Sequence, residues 1–521
     1  MNFDILKMLN PDVYEHPVSR IQLIETHISW VILTGDYAYK IKKPVNFGFL
    51  DFSTLQKRQQ YCKQEVRLNR RLTTNIYIAV IHISIQQQKL KIGQGKAIEY
   101  GIKMKQFAQS AQLDNMLAAG QLETHHIDAI ALMIARFHLD IQTADKSTTY
   151  GEPESLFQPV MENFKQITEQ LENLKYKNIL TKLLNWSKSQ FEQLEGIFQS
   201  RKQQGFIREC HGDLHLRNLV WLGDKNTIEP DKGPMAFDCI EFNENLRWID
   251  VISEVAFLVM DLHDRKQTKL ANRFLNSYLE LTGDYSGLVI LPFYLSYRAM
   301  VRAKVAILRL RQPDIDTTDK KLLLKEFETY LELAQSYIQR STPKLIIMRG
   351  VSASGKSTIS QQLVDKLGAI RLRSDVERKR LVSEPEKQNK SVQINKGLYS
   401  EKVTEQTYAK LLELADSLMR AGFSVIIDAA FLQHQQRKPF QQLAERLNVR
   451  YFIVETTAPA KVLRRRIVQR KNNVSDADLN VLEYQLKNWE PLLTEEISKT
   501  LSINSLETLQ IGRIIKNVSA S

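Results

Sequence analysis

The sequence predicts two joined domains, an α+β domain followed by an α/β domain with a parallel sheet covered by helices on both faces. Three observations predict this. The chain has 521 residues, more than a single core accommodates. Its first part reads as a small sheet-rich lobe, about residues 20–107, and then a larger helical lobe, about 112–335. Beyond residue 340 apolar strand-like runs alternate with helical runs, which argues a parallel sheet.

The elements follow in order. Residues 28–33 and 37–42 read as two strands joined at Thr34-Gly35-Asp36. Residues 55–72 carry a helical pattern, and 77–85 and 98–107 are further strands with a turn at Gly93–Gly95. From about 112 to 205 the pattern is mainly helical. The apolar stretches 219–222 and 234–237 flank a polar turn and read as a hairpin. Residues 325–340 form an amphipathic helix on Leu331, Leu333, Tyr337 and Ile338, broken by Ser341-Thr342-Pro343. That break sets the expected domains at 1–340 and 341–521. In the second, strands are expected at 344–348, 369–372, 424–427 and 450–454, and helices at 405–420, 435–447 and 459–470. The glutamine-rich stretches 86–88 and 433–436 are too short to carry a signal.

Composition narrows the class. Three cysteines, Cys62, Cys210 and Cys239, with no C-x-x-C pair, exclude a disulfide framework or a cysteine zinc site and fit a reducing compartment. No secretory leader is expected, because Met1-Asn2-Phe3-Asp4 lacks a basic start and an apolar core. No apolar run reaches the ~18 residues of a membrane span, so a soluble cytoplasmic protein without a membrane partner is expected. The net charge is +13, from 72 basic and 59 acidic residues. That excess is compatible with nucleic acid. No aromatic-interleaved basic stripe accompanies it, so phosphate-handling sites and a basic solvated surface are favoured as its cause. Oligomeric state is not legible.

Gly350-Val351-Ser352-Ala353-Ser354-Gly355-Lys356-Ser357 spells G-x-x-x-x-G-K-[ST] directly after the apolar run Leu345-Ile346-Ile347-Met348. A strand entering a glycine-rich turn before a helix is the context in which this pattern binds nucleotide phosphates. Backbone N–H groups from Gly350, Ser352, Ala353, Ser354 and Gly355 through Thr358 turn toward the phosphates, helped by the helix N-terminus. Lys356 is expected on the terminal phosphates and Ser357 on Mg2+.

His211-Gly212-Asp213-Leu214-His215-Leu216-Arg217-Asn218 has the spacing H-x-D-x-x-x-x-N. In phosphotransfer loops of this spacing the Asp faces the acceptor hydroxyl and the Asn binds Mg2+. The following hairpin returns Asp238 beside the loop as a second metal ligand. His215 and Arg217 are read as ordering the loop, and Asp250 and Glu254, which begin an apolar helix, as bracing it. These residues, over about 20–310, resemble the aminoglycoside phosphotransferase family. The resemblance implies a two-lobed protein-kinase-like fold and phosphorylation of small-molecule hydroxyls with ATP. It also implies a phosphate-contacting lysine on the third strand of the small lobe, with a helical glutamate partner. Ala38-Tyr39-Lys40-Ile41-Lys42 fits that strand. Lys40 and Lys42 share a face and remain open as alternatives, with Lys40 favoured for its spacing after Ala38. Glu65 is the one acidic residue between Asp51 and Glu99 and is the expected partner. A departure is the absence of a G-x-G-x-x-G loop before Lys40.

In the second domain Asp375, after the second strand, is placed to face an acceptor, with a helix N-cap as the competing account. Asp428 ends the third strand where a carboxylate steadies Mg2+. Arg466 and Arg470, four apart on an expected helix, share a face able to cover a transferring phosphoryl group. With Arg437, these residues resemble polynucleotide-kinase-like and gluconate-kinase-like small P-loop kinases over about 344–490. Together the two halves predict a tandem ATP- and Mg2+-dependent phosphotransferase. Its first acceptor is a small-molecule hydroxyl, and its second a small molecule or a nucleic-acid end. The alternatives are one catalytic domain with an ATP-sensing partner, or a nucleic-acid-binding ATPase.

Overall fold

Six antiparallel strands open the chain: β1 (Gln22–Glu25), β2 (Ser29–Leu33), β3 (Tyr37–Lys42), β4 (Tyr77–Gln86), β5 (Lys89–Ile92) and β6 (Glu99–Lys105). They lie in the order β1-β2-β3-β6-β4-β5. The computed structural model describes residues 3–48, 50–171, 174–223, 233–311, 315–339, 342–383, 400–469, 478–506 and 511–519. Two of these strands, β1 and β5, lie at the sheet edges and were not expected from sequence. At four residues each they are too short to show a period. The turn between β4 and β5 is Gln87-Gln88, both in the left-handed region (φ 47° and 65°). Two such residues make the tight turn whose twist suits a hairpin, so this glutamine stretch does carry structure.

The helix Leu55–Asn69 starts where the Thr54 hydroxyl accepts the Lys57 N–H (3.2 Å). It packs on β4 and β6. Arg58 crosses from it to Glu99 on β6 with two bonds of 2.8 Å, both groups buried. The helices Leu113–Ala118, Thr124–Asp140, Pro153–Gln170 and Lys177–Gln203 follow. Two short antiparallel pairs come next: β7 (Ile207–Glu209) with β10 (Trp248–Asp250), and β8 (Leu219–Trp221) with β9 (Pro234–Ala236). The helix Val251–Asp264 is apolar and buried along nearly its whole length.

The chain divides into two units, Met1–Asp264 with Phe293–Ala334, and Arg265–Pro292 with Gln335–Ser521. The sequence reading assigned 265–292 to the first domain. The structure instead packs its helix Thr268–Thr282 on the helix Lys356–Leu367 of the second unit. Chain order misled here because the segment's ion-pair and edge partners lie about 90 residues downstream (Arg371 pairs with Glu280, a separation of 91).

The second unit holds a parallel sheet of β11 (Lys344–Arg349), β12 (Ile370–Arg373), β13 (Val425–Asp428), β14 (Arg450–Thr457) and β15 (Thr500–Asn504), ordered β12-β13-β11-β14-β15. Edge strand β15 was not anticipated. Ile346 and Met348 pack with Leu363, Val364, Ile514 and Val518 on one face. Leu345 and Ile347, which alternate with them, are equally buried, so the other face is covered too. Order reverses around β11, and such a switch point opens a crevice at the carboxyl ends of the strands. Cys62, Cys210 and Cys239 are buried free thiols. Among the described residues no helix is long and apolar enough to cross a membrane.

Replacing Arg58 by Met leaves Glu99 buried and unpaired. Denaturant unfolding is expected to show a loss of roughly 3–5 kcal/mol in the first unit, and a loss below ~1 kcal/mol would show that the pair does not join helix to sheet.

Candidate functional sites

The first site grows from the loop 211–218. Gly212 sits at φ 89°, and a Cβ there would lie 2.7 Å from the Leu246 carbonyl oxygen, so only glycine fits. Its N–H donates to Glu254 Oε1 (2.7 Å), and Glu254 Oε2 pairs with His138 Nε2 (2.8 Å). Arg298 donates to the Gly212 carbonyl (3.2 Å), and the Leu216 N–H donates to Asp261 Oδ2 (2.9 Å). Glu254 therefore braces the loop, as expected. Asp250 instead pairs with Arg201 at 2.6 and 2.9 Å.

His211 accepts the Asp213 N–H at Nδ1 (3.3 Å), so Nε2 carries the proton to the Phe237 carbonyl (2.9 Å). Burial pushes its pKa down, consistent with a neutral ring. Asn218 Nδ2 donates to Asp213 Oδ2 (2.9 Å) and to the Asp213 carbonyl (3.0 Å), which leaves its amide oxygen as the remaining acceptor. The surroundings would raise the Asp213 carboxyl, but His215 at 3.3 Å, then Arg302 and His211, hold it below the ordinary aspartate value. His215 thus touches the central carboxylate, and Arg217 pairs with Asp114 (3.5 Å). The Phe237 N–H donates to the Asn218 carbonyl (2.9 Å), which laces the loop to the β9 exit carrying Asp238.

Asp238 has φ 64°, an uncommon conformation for a non-glycine, and its N–H donates to the Tyr77 hydroxyl (3.1 Å). Its carboxylate pairs with Lys40, which also donates to Glu65 Oε1 (2.8 Å). Lys42 donates to Glu65 Oε2 (2.5 Å) and pairs with Glu241. Both lysines therefore reach Glu65, but Lys40 alone reaches Asp238. Lys42 is 1% exposed at its side chain, against 12% for Lys40. Burial would raise Glu65, yet the two ammonium groups outweigh it and bring its pKa down to about 2. Burial raises Glu241 despite Lys42. Glu241 is a member of this cluster that sequence reasoning missed. Its only signal was lying three residues after Asp238. Two ammonium groups face three carboxylates here, and the Asp238 side chain remains 48% exposed. An oxygen-only donor set with surplus negative charge suits a hard divalent cation.

The second site is a cavity of about 1260 Å³ at the carboxyl ends of β11 and β13. Ser352, Ala353, Gly355, Lys356, Ser357 and Thr358 line it, with Asp375, Asp428 and Arg466. Gly350 and Ser354 shape the loop from behind. A Cβ on Gly350 would lie 2.6 Å from Ser354 Oγ and from Thr456, and Ser354 Oγ bonds Thr456 Oγ1 (2.7 Å). Lys356 Nζ donates to the Gly350 (2.7 Å) and Val351 (3.0 Å) carbonyls. The Ser352 N–H donates to Gln485 Oε1 (2.6 Å).

Asp428 accepts from Ser360 Oγ (3.0 Å), and Ser360 lies two residues beyond the expected Ser357–Thr358 pair. Asp375 is in the first turn of the helix Ser374–Ser383 and pairs with Arg378 (3.4 Å). Arg466 Nη1 donates to the Ala353 carbonyl (3.1 Å) and to Ser505 Oγ (2.8 Å). Its helix is Ala460–Val468, and Arg470 lies outside the described residues. Arg437 is a correction. It is 1% exposed and forks onto Glu496 at 2.7 and 2.9 Å, away from the cavity. Arg373 and Tyr408 line the cavity and were not singled out from sequence.

Residues 345–492 match a family model described as an AAA domain. The chain is 30% identical over 469 residues to the uncharacterized protein Rv2004c of Mycobacterium tuberculosis and to Mb2027c of Mycobacterium bovis, covering 89% of this chain and 90% of each relative. Among solved structures, an ethanolamine kinase from Plasmodium vivax is 12% identical, with 63% of this chain and 86% of that chain covered, at a TM-score of 0.38. A sugar kinase from Janibacter is 20% identical, with 34% and 95% covered, at 0.27.

Glu65 gives the first site a pH signature. Its folded pKa near 2 lies below the ordinary glutamate value of about 4.3. Its stabilisation is therefore whole above about pH 4.3 and lost as the pH falls through about 2. The stability gap between the wild-type chain and Glu65→Gln, measured by urea unfolding, is expected to be largest near neutrality and to close through that window. A gap that does not change with pH would contradict the pairing.

Proposed function

We propose, since the chain belongs to the family of the mycobacterial proteins Rv2004c and Mb2027c along nearly its whole length, that it is a tandem phosphotransferase, each unit moving the γ-phosphoryl group of ATP to a hydroxyl acceptor. The observation that carries the reading is Lys40, which bridges Glu65 on the helix Leu55–Asn69 and Asp238 beside the loop 211–218. A lysine, a helical glutamate and a carboxylate drawn from three distant segments have no need to meet in a merely structural core. They do need to meet where a nucleotide's phosphates and a metal are held. The arrangement supports a kinase-like first unit with a small-molecule acceptor.

In the first unit, Lys40 orients the phosphates and Glu65 keeps its ammonium in place. Asp213 accepts the hydrogen bond of the attacking hydroxyl, aligning it with the phosphoryl group. Its lowered pKa suits orientation better than early proton removal, since phosphoryl transfer asks chiefly for positioning and charge neutralisation. Asn218 and Asp238 are the residues that would hold Mg2+, which supplies charge neutralisation on the phosphates when bound.

In the second unit the loop Gly350–Ser357 cradles phosphates with backbone N–H groups, and Lys356 swings from its carbonyl partners to the phosphate oxygens. Ser357 and Asp428 form the metal side, Asp375 the acceptor side, and Arg466 the covering charge. The cavity is larger than the ~300–1,000 Å³ usual for one small ligand, which supports a nucleotide and an acceptor bound together. We favour a small-molecule acceptor over a nucleic-acid end, and a cytoplasmic setting.

Acceptor-dependent ATP consumption by the full chain tests this, with sugars, aminoglycosides, nucleosides and 5′-hydroxyl oligonucleotides as acceptors. Asp213→Asn is expected to cost roughly 10²–10⁴-fold in turnover on one set of acceptors. Lys356→Ala is expected to cost roughly 10²–10³-fold on another. Tight ATP binding with no turnover on any acceptor would overturn the enzyme reading in favour of nucleotide sensing.

A further inference from the structure

The helix Thr268–Thr282 lies in sequence among the helices of the first unit but is built into the second. It finishes the edge of the parallel sheet. Asn276 Oδ1 accepts the Arg371 N–H (2.7 Å) and its Nδ2 donates to the Ala369 carbonyl (3.2 Å). One amide thereby does for β12 what a neighbouring strand would do, and covers an otherwise open edge. One turn further along, Glu280 receives two arginines from the same strand. Arg371 Nε donates to Glu280 Oε1 (2.8 Å), and Arg373 Nη1 donates to Oε2 (3.3 Å). The Glu280 carbonyl accepts from Arg380 Nη2 (2.9 Å).

Both arginines lead to the nucleotide cavity. Arg371 Nη1 lies 3.4 Å from the Ser357 carbonyl and 3.3 Å from Ser360 Oγ, and Ser360 Oγ donates to Asp428 Oδ2 (3.0 Å). Arg373 lines the cavity beside Asp375. A continuous chain of polar contacts therefore runs from Glu280 to the metal-side carboxylate through Arg371 and Ser360, with a second branch to the acceptor side through Arg373. Glu280 and Arg371 are nearly excluded from water, with side chains 13% and 7% exposed. An arginine fork held this way keeps one geometry.

We propose that the segment Arg265–Pro292 completes the second nucleotide site, and that Glu280 is a positioning residue for it. Glu280 holds Arg371 against the phosphate-loop helix, and so fixes Ser360 and Asp428, while it aims Arg373 along the wall that carries Asp375. The inference rests on the reading of the second unit as a nucleotide site. It places part of that site outside the 345–492 stretch matched as an AAA domain.

The test uses the full chain in a Lys40→Ala, Asp238→Asn background, which removes the phosphate-side lysine and the metal-side carboxylate of the first unit. ATP binding is measured by calorimetry with and without Mg2+. In this background Mg2+ is expected to tighten ATP binding. Glu280→Gln is expected to cut that gain by about 10–100-fold, the usual cost of losing a partner behind a metal-side ligand. Metal-free ATP affinity, which depends on the loop backbone and Lys356, is expected to stay within about twofold. Asn276→Ala loosens the same helix without touching Arg371's guanidinium, so it is expected to lower the unfolding temperature and keep the Mg2+ gain. Should Glu280→Gln fail to fold, Glu280→Asp, which keeps the charge, is expected to keep most of the gain. A Mg2+ gain unchanged in Glu280→Gln, absent in Glu280→Asp, or lost equally in Asn276→Ala would overturn the positioning role. A parent chain that binds no ATP once the first unit is silenced would overturn the nucleotide-site reading itself.

Discussion

The first site depends on one buried carboxylate. Glu254 has no exposure to water, and a charge taken out of water costs several kcal/mol unless it is fully engaged. Both of its oxygens are engaged, one by His138 and one by the Gly212 N–H. Much else follows from that constraint. Position 212 must be glycine, because the backbone that delivers the N–H has a positive φ and runs against the Leu246 carbonyl. The helix Val251–Asp264 must begin where it does, so that Glu254 in its first turn lies under the loop. With Gly212 fixed below and the Leu216 N–H held by Asp261, Asp213 has little freedom, and Asn218 secures it from the far side.

The lysine cluster obeys the same rule with opposite signs. Buried ammonium groups also need partners, and Lys40 and Lys42 divide Glu65 between them. Had Lys42 been a solvated strand residue, Glu65 would have had a single partner and freedom to rotate. Instead its two oxygens are claimed by residues two apart on β3, which locks the helix Leu55–Asn69 to the strand in rotation as well as distance. Glu241 then neutralises Lys42, leaving Lys40 as the cation shared with the more exposed Asp238. Inner pair and outer pair differ in exposure. The inner one is hidden from water, and in the outer one Asp238 is half exposed.

Much of this was legible in the sequence because phosphate chemistry fixes short spacings. The G-x-x-x-x-G-K-S run and the H-x-D-x-x-x-x-N run each carry their geometry within eight residues, and the structure puts each at the expected strand end or loop. Lys40 and Glu65 were reached through the family resemblance, which implies a strand lysine with a helical glutamate; alternation left Lys40 and Lys42 open, and the scarcity of acidic residues nearby singled out Glu65. What stayed hidden depends on long-range packing. Glu241, Glu280 and Ser360 are ordinary residues in unremarked positions, made significant only by what the fold brings to them. Arg437 failed in the opposite direction. An arginine that neutralises a buried Glu496 looks, in sequence, like one that covers a phosphate. The edge strands β1, β5 and β15 were missed because four- or five-residue strands at a sheet margin carry too little periodicity to stand out.

On the proposed function the two sites would hold phosphate by different physics, and this explains the asymmetry in how they read. The second site offers backbone N–H groups, which every residue but proline supplies, so the sequence must record the glycines that let the backbone turn. Its signature is therefore local and easily matched. What the backbone cannot supply is orientation of the metal-side and acceptor-side carboxylates, and that comes from side chains on other elements. Here the chain leaves the first unit at Asp264, directly after the helix that bears Glu254 and Asp261. It re-enters at Phe293, in the helix that bears Arg298 and Arg302. The intervening residues carry Asn276 and Glu280 to the second sheet. A fragment cut near residue 335 would thus keep every residue of the recognisable motif and lose the carboxylate behind Arg371 and Arg373. The boundary suggested by the motif and the boundary required by the packing are different, because the first is set by backbone chemistry and the second by buried charge.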